Sequence, residues 1–136
     1  MLNRMMSRPA VALLWLLHFL PLPVLALLGK GLGQLFFYFG RQRRKVAKIN
    51  IAWCFPELDE EHRARLVKAH FQTLGRSMLE RSILWWGSRE RLSRLIRIEG
   101  TETIQALRSA GRPVILLAPH FVGLDAGGVA ITMRFD

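Results

Sequence analysis

Val114-Ile-Leu-Leu-Ala-Pro-His-Phe-Val-Gly-Leu-Asp125 is the stretch on which the expected fold depends. Its first five residues, Val114 to Ala118, are all apolar and lie between Pro113 and Pro119. A short apolar run bounded in this way is typical of a strand buried on both faces of a parallel sheet. The stretch therefore predicts a buried strand that ends just before His120.

Helices are expected on both sides of this strand. One starts at Gly100-Thr101, with Thr101 as its cap, and Gly111 stops it. The other runs from about Leu124 towards Arg134, with an acid in its first turn. The order helix, strand, loop, helix predicts an α/β fold, the first strands of an incomplete acyltransferase-type sheet.

The sequence offers only one further strand, the alternating segment Leu95–Ile98. A sheet of two strands is not independently stable in water. The chain is therefore expected to be the N-terminal portion of a longer protein, or a small subunit that a partner completes.

His120 and Asp125 follow the predicted strand and are the candidate catalytic pair. A neutral imidazole can remove a proton from a hydroxyl near pH 7, and a carboxylate on its other ring nitrogen stabilises the imidazolium. Gly123 permits the turn between them, and the next helix offers N–H groups for an oxyanion. A structural loop histidine bonded to a local carboxylate would leave the same pattern. This chemistry calls for no metal and no cofactor.

Residues 1–40 are predicted to form a membrane anchor, and residues 41–136 the N-terminal portion of a soluble domain. Residues 10–29 carry no formal charge and are almost all apolar, a length that suits a hydrocarbon core of about 30 Å. Pro21 and Pro23 interrupt the segment, so one kinked span and a pair of interfacial helices both remain open. His18, inside it, is expected to be neutral and bonded locally.

Charge predicts the orientation and the type of partner. The chain has 20 Lys and Arg against 10 Asp and Glu, a net charge of +10. Arg4 and Arg8 precede the apolar segment, whereas six basic residues follow it: Lys30, Arg41, Arg43, Arg44, Lys45 and Lys48. This excess places the rest of the protein in the cytoplasm. The basic cluster is expected to be solvated or to contact anionic lipid, because no nucleic-acid-binding motif accompanies it.

Two helices are expected between the anchor and the strands. The first covers Arg41 to Trp53, and the second starts after Asp59 as N-cap and runs to about Trp86. The second helix has an apolar stripe formed by Val67, Phe71, Leu74 and Met78, whereas His62 and His70 are expected to be structural or exposed. Cys54, the single cysteine, is expected to pack in the apolar run around it and suits a reducing compartment.

Five motifs are spread over most of the chain: Ile51-Ala-Trp-Cys-Phe-Pro-Glu-Leu58, His70-Phe-Gln-Thr-Leu-Gly75, Trp85-Trp86-Gly87, Ile98-Glu99-Gly100, and Gly111-Arg-Pro-Val-Ile-Leu-Leu-Ala-Pro-His-Phe121. With the anchor and the Arg-rich helix, they resemble the lauroyl/myristoyl acyltransferases of lipid A biosynthesis in Gram-negative bacteria, within the lysophospholipid acyltransferase-like superfamily. In that family a His-x4-Asp/Glu motif is catalytic, and His120 and Asp125 occupy it.

The resemblance implies an enzyme that transfers a fatty acyl group from acyl carrier protein to a hydroxyl of a lipid A precursor. It implies a bacterial inner-membrane protein with its catalytic part on the cytoplasmic side. Both the acidic carrier and the anionic glycolipid acceptor suit the charge of +10, and no nucleic acid is expected. Members of the family run well past the motif. An acyltransferase acting on another glycolipid or lysophospholipid, or an inactive membrane-bound fragment, therefore remains an alternative.

Overall fold

A computed structural model describes residues 2–135 of the chain, and the side chains of residues 8–135. This part contains seven helices: α1 (Leu2–Leu17), α2 (Leu22–Phe39), α3 (Arg41–Cys54), α4 (Glu60–Trp86), α5 (Arg89–Leu95), α6 (Thr101–Ser109) and α7 (Leu124–Phe135). The helices belong to two compact units. The first ends at Trp86, and the second begins at Gly87.

The predicted α/β fold is wrong, because none of residues 2–135 forms a strand. Val114–Ala118 has no regular secondary structure, and the side chains of Ile115 and Leu117 are 94% and 95% exposed. Leu95 ends α5, and the residues after it are irregular up to Gly100. A strand exists only through hydrogen bonds to a neighbouring strand, so apolar composition alone does not produce one.

The predicted apolar segment of residues 10–29 is divided between two helices. α1 ends at Leu17, and Pro21, with φ −58° and ψ 145°, precedes the first turn of α2. The backbone N–H groups of Val24 and Leu25 donate to the Pro21 carbonyl at 3.0 and 3.1 Å. The segment thus forms two helices with a break at the prolines, and the choice between a kinked span and a pair of interfacial helices remains a prediction. The Arg4 side chain lies outside the described side chains, so its part in the orientation remains a prediction.

His18 lies in the break between α1 and α2 and is bonded locally, as expected. Its Nδ1 bonds to the backbone carbonyl of Trp15. Its ring also lies 3.9 Å from the Phe19 ring and 6.5 Å from the Trp86 ring, measured between centroids. The aromatic residues therefore join the α1–α2 break to the end of α4.

Among the described residues, α2 is the one helix that is long and apolar enough to cross a membrane by length and composition. It has 18 residues and a mean hydropathy of 1.4, and only 17% of it is buried inside the protein. The apolar part of α1, Arg8–Leu17, is shorter. The candidate span is thus later in the sequence than the segment predicted from the absence of charge.

Glycine-to-backbone contact joins α2 to α4. Gly29 of α2 faces Gly75 and Arg76 of α4, and Gly33 faces Phe71. The two helices are therefore antiparallel. A Cβ atom built on Gly33 would lie 2.2 Å from the Phe71 carbonyl oxygen, and one on Gly75 would lie 2.3 Å from the Gly29 carbonyl oxygen. Only residues without a side chain let the two backbones approach so closely.

α3 and α4 match the predicted helices to within a residue at each end. The buried face of α4 differs in part from the predicted stripe. Val67 and Phe71 are buried, as expected, whereas Leu74 and Met78 are 38% and 39% exposed. The buried face continues instead through the small or short side chains of Gly75 and Ser82 and through Ile83.

The prediction that Cys54 packs in the interior is wrong, because its side chain is exposed at the end of α3. An apolar run at a helix end has no inward face unless another element covers it. Trp53 and Phe55, its neighbours, are also exposed.

The start of α4 is capped by Asp59, as predicted. The backbone N–H of His62 donates to Asp59 Oδ1 at 2.8 Å, and the His62 ring nitrogen Nδ1 lies 2.7 Å from the same carboxylate. Glu60 and Glu61 occupy the first turn, where the N-terminal end of the helix dipole favours negative charge.

We expect Gly33→Ala to destabilise the protein by about 1–3 kcal/mol, because its methyl group overlaps the α4 backbone. Gly31→Ala is the matched control. It lies on the same helix with open space around it, and alanine has the higher helix propensity. Urea unfolding in detergent, followed by far-UV circular dichroism, measures both variants. Equal stability of Gly33→Ala and Gly31→Ala would contradict the close contact.

The Asp59 cap predicts an acid-sensitive start of α4. The backbone hydrogen bond from His62, followed by the His62 side chain, lowers the pKa of the Asp59 carboxyl below its ordinary value of 3.8. Its stabilisation is therefore fully present above that ordinary value and is lost as the pH falls through the lower, folded pKa. Amide hydrogen exchange in the first turn of α4, corrected for the intrinsic rate, should speed up over this acid range.

Asp59→Asn keeps a capping side chain but cannot titrate, so it should remove this pH dependence. Glu57→Gln, outside the helix, is the control that should retain it. An unchanged pH profile in Asp59→Asn would show that another group is responsible.

Candidate active site

The candidate pair lies between α6 and α7 of the second unit. The N-cap of α6 is Gly100, with φ +75°, and Thr101 is the first residue of the helix. The prediction that Thr101 is the cap is therefore wrong by one residue. Gly111, with φ +68°, follows α6 and is the stop that the sequence predicted. Both glycines have left-handed backbone conformations that other residues rarely adopt.

His120 lies in the irregular segment before α7, and Asp125 lies in the first turn of α7, as predicted. The first of two short hydrogen-bonded turns contains His120, and the second leads to α7. The Phe121 N–H donates to the Pro119 carbonyl at 2.8 Å, and the Leu124 N–H donates to the Phe121 carbonyl at 3.0 Å. The turns bring the two positions to one loop–helix junction. Contact between the two side chains remains a prediction.

Both candidate side chains are exposed. Phe121, next to His120, is 74% exposed. The Gly127 N–H donates to the Gly123 carbonyl at 3.0 Å at the start of α7. The N-terminal end of a helix favours negative charge. An exposed imidazole, an exposed carboxylate and the N-terminus of a helix thus share this junction.

Arginine side chains hold the opposite end of α7. Arg89 of α5 donates to the Met133 carbonyl at 2.5 Å, and Arg108 of α6 donates to the Phe135 carbonyl at 3.1 Å. The Arg108 guanidinium also lies 5.5 Å from the centroid of the Phe135 ring. Cations favour the last turn of a helix, where carbonyl groups lack partners. α5 and α6 therefore fix the helix that carries Asp125.

A cavity of 440 Å³ lies among α5, α6, α7 and the irregular segment that follows α5. Its walls come from Ser93, Ile96, Ile98, Thr101, Glu102, Ala130, Met133 and Arg134. Neither member of the candidate pair lines it. Across the described part of the chain, no three His, Cys, Asp or Glu side chains form a group that could hold a metal ion.

Sequence reasoning missed the features that position the helices. The spacing Gly29-x3-Gly33 was available as a signal of close helix packing. The roles of Arg89 and Arg108 had no such signal, because their acceptors lie 44 and 27 residues away in the chain.

Comparison with known proteins gives consistent matches. The family model for bacterial lipid A biosynthesis acyltransferases matches residues 2–136. The lipid A biosynthesis lauroyltransferase of Escherichia coli K12 is 33% identical over 124 residues, which cover 91% of this chain and 40% of that protein. The palmitoleoyltransferase of the same strain is 30% identical over 118 residues, 87% of this chain and 39% of that protein. Its myristoyltransferase is 33% identical over 103 residues, 76% of this chain and 31% of that protein.

The chain spans about two fifths of the length of the first two of these relatives. No solved structure matches it significantly.

Proposed function

The chain belongs to the bacterial lipid A biosynthesis acyltransferase family, and on that premise we propose that it transfers a fatty acyl group from acyl carrier protein to a hydroxyl of a lipid A precursor. The family match over residues 2–136 carries the proposal. The position of His120 and Asp125 at one loop–helix junction supports it.

In the proposed reaction, His120 is the general base. Its neutral imidazole takes the proton of the acceptor hydroxyl as the oxygen attacks the thioester carbonyl. The tetrahedral intermediate then expels the thiolate of the carrier, and the imidazolium returns the proton to that sulfur. Asp125, on the other ring nitrogen, orients the imidazole and stabilises its charged form. Backbone N–H groups at the start of α7 are the proposed donors to the oxyanion.

The charge of the chain suits both proposed substrates. The net charge is +10, whereas acyl carrier protein is acidic and a lipid A precursor carries phosphate. Opposite charge speeds the encounter of two partners and raises their local concentration. The proposed catalytic part, residues 41–136, is placed on the cytoplasmic side of the inner membrane, where the basic residues after the anchor would also lie.

The anchor of residues 1–40 is proposed to lie in the membrane interface. α2 exposes Leu27 and Leu35 by 71% and 54%, and each lies two residues from a glycine that faces α4, on the opposite side of the helix. Lys30, in the middle of α2, is also exposed. α4 runs along the other side of α2 and carries the Arg76–Glu80 ion pair at 3.0 Å. If α2 crossed the membrane, it would bring these charges into hydrocarbon. A charged side chain at the bilayer centre costs about 2.5–3.5 kcal/mol or more, which favours the interface.

We expect Lys30→Cys, in a Cys54→Ser background, to react with a membrane-impermeant maleimide on sealed vesicles. In an interfacial helix, position 30 lies at the level of the headgroups. Leu35→Cys is the control and should be protected, because it is rotated about 140° around the helix from position 30, on the apolar face. Protection of Lys30→Cys equal to that of Leu35→Cys would support a helix that crosses the membrane.

His120→Ala is expected to lower the rate of acyl transfer at least ~10²–10⁴-fold, because it removes the general base. Asp125→Asn keeps the shape but removes the charge and should also slow the reaction. His62→Ala, an exposed histidine of the first unit, is the control and should keep the rate. The assay follows transfer from acylated carrier protein, and mass spectrometry of the lipid A product identifies the acceptor.

The assay is run with the chain itself and with a chimaera in which residues 2–136 replace the matching part of the Escherichia coli lauroyltransferase. Full turnover by His120→Ala in an active protein would remove His120 from the mechanism. Absence of transfer by both proteins, or transfer that leaves lipid A unmodified, would count against the proposed function.

A further inference from the structure

A groove of 750 Å³ lies between α3 and α4 of the first unit, and the last turn of α2 contributes to its wall. Most of its lining is apolar: Phe36, Phe39, Val46, Phe71, Leu74 and Met78. Phe39, Val46, Leu74 and Met78 are between 38% and 82% exposed, so the groove is open to the surroundings. Its volume falls in the range of about 300–1,000 Å³ that small-molecule sites occupy.

Arg43 is the cation of this groove. The next residue, Arg44, is engaged within the protein, because it donates to the Phe37 carbonyl and its guanidinium lies 5.1 Å from the centroid of the Phe37 ring. Arg43 instead is exposed and lines the groove. α3 contains no acidic residue, whereas it carries Arg41, Arg43, Arg44, Lys45 and Lys48. The edge of the groove is therefore positive and complementary to an anion.

We propose that this groove binds an anionic phospholipid, with one acyl chain along the apolar lining and the phosphate on Arg43. The site lies where apolar α2 meets basic α3. The polarity therefore changes along the site as it does along a lipid, from the acyl chain to the headgroup. A phosphate accepts hydrogen bonds from a guanidinium in good geometry. The lipid would attach the first unit to the membrane, a role separate from acyl transfer by His120 and Asp125 of the second unit.

The test uses the full chain bound to phosphatidylcholine vesicles that contain a photoreactive lipid. This lipid is either phosphatidylglycerol or phosphatidylcholine, and in both cases it bears a diazirine near the end of one acyl chain. After illumination, mass spectrometry identifies the labelled residues. We expect label on groove residues such as Val46, Leu74 and Met78. Label confined to α1 and to the outer face of α2 would overturn the proposal.

Ala47→Trp fills the groove, since Ala47 lines it and is half-buried. It should lower the label on Leu74 and Met78 at least about fivefold, because the added indole takes the space of the chain. Ala69→Trp, an exposed position of α4, is the matched control and should leave the label unchanged. Circular dichroism confirms that both variants are folded. Equal labelling of the two variants would show that the chain does not lie in the groove.

Arg43→Gln tests the headgroup contact. The label in the groove is measured per molecule of vesicle-bound protein with each photoreactive lipid. Arg43→Gln should lower the ratio of the phosphatidylglycerol label to the phosphatidylcholine label about fivefold. Lys48→Gln removes a neighbouring charge that does not line the groove and should keep the ratio. The same ratio in both variants would overturn the role of Arg43. Displacement of the label by a soluble acyl-pantetheine thioester would assign the groove to the acyl donor and overturn the phospholipid.

Discussion

The close contact of α2 with α4 is the constraint on which the first unit depends. Gly29 and Gly33 meet Gly75 and the backbone of Phe71 at distances that leave no room for a Cβ atom. Glycine at these positions loses more backbone entropy on folding than other residues do. That loss is offset because two long helices gain extensive van der Waals contact, including the Phe37 and Phe71 rings at 5.8 Å between centroids.

This contact also determines which surfaces remain free. With its glycine face against α4, α2 turns Leu27 and Leu35 outward, and the apolar exterior that results suits a membrane. The same packing leaves Leu74 and Met78 of α4 partly exposed beside Val46 of α3, so a groove forms where three helices meet. Arg44 bonds to the last turn of α2, and Arg43, one residue earlier, lies at the groove. The membrane attachment and the lipid site proposed above therefore share one structural origin.

The second unit depends on different interactions. Arg89 and Arg108 donate to carbonyl groups in the last turn of α7, and their contacts fix a helix whose first turn carries Asp125. Two hydrogen-bonded turns lead from Pro119 through Phe121 to the start of that helix and determine the position of His120. Charged hydrogen bonds, more than a large apolar core, thus position the candidate pair. Few residues of this unit are buried, among them Leu92 and Ala130.

The sequence by itself determined the features that depend on neighbours in the chain. The cap at Asp59, the helix break at Pro21 and the left-handed stop at Gly111 follow from local hydrogen bonds and backbone sterics, as does the position of Asp125 in the first turn of α7. Only the tertiary structure decided whether Val114–Ala118 pairs as a strand, which face of α4 is buried, and that glycines 29, 33 and 75 meet. Strand pairing and helix packing join residues far apart in the sequence, so no local pattern of composition or spacing can fix them.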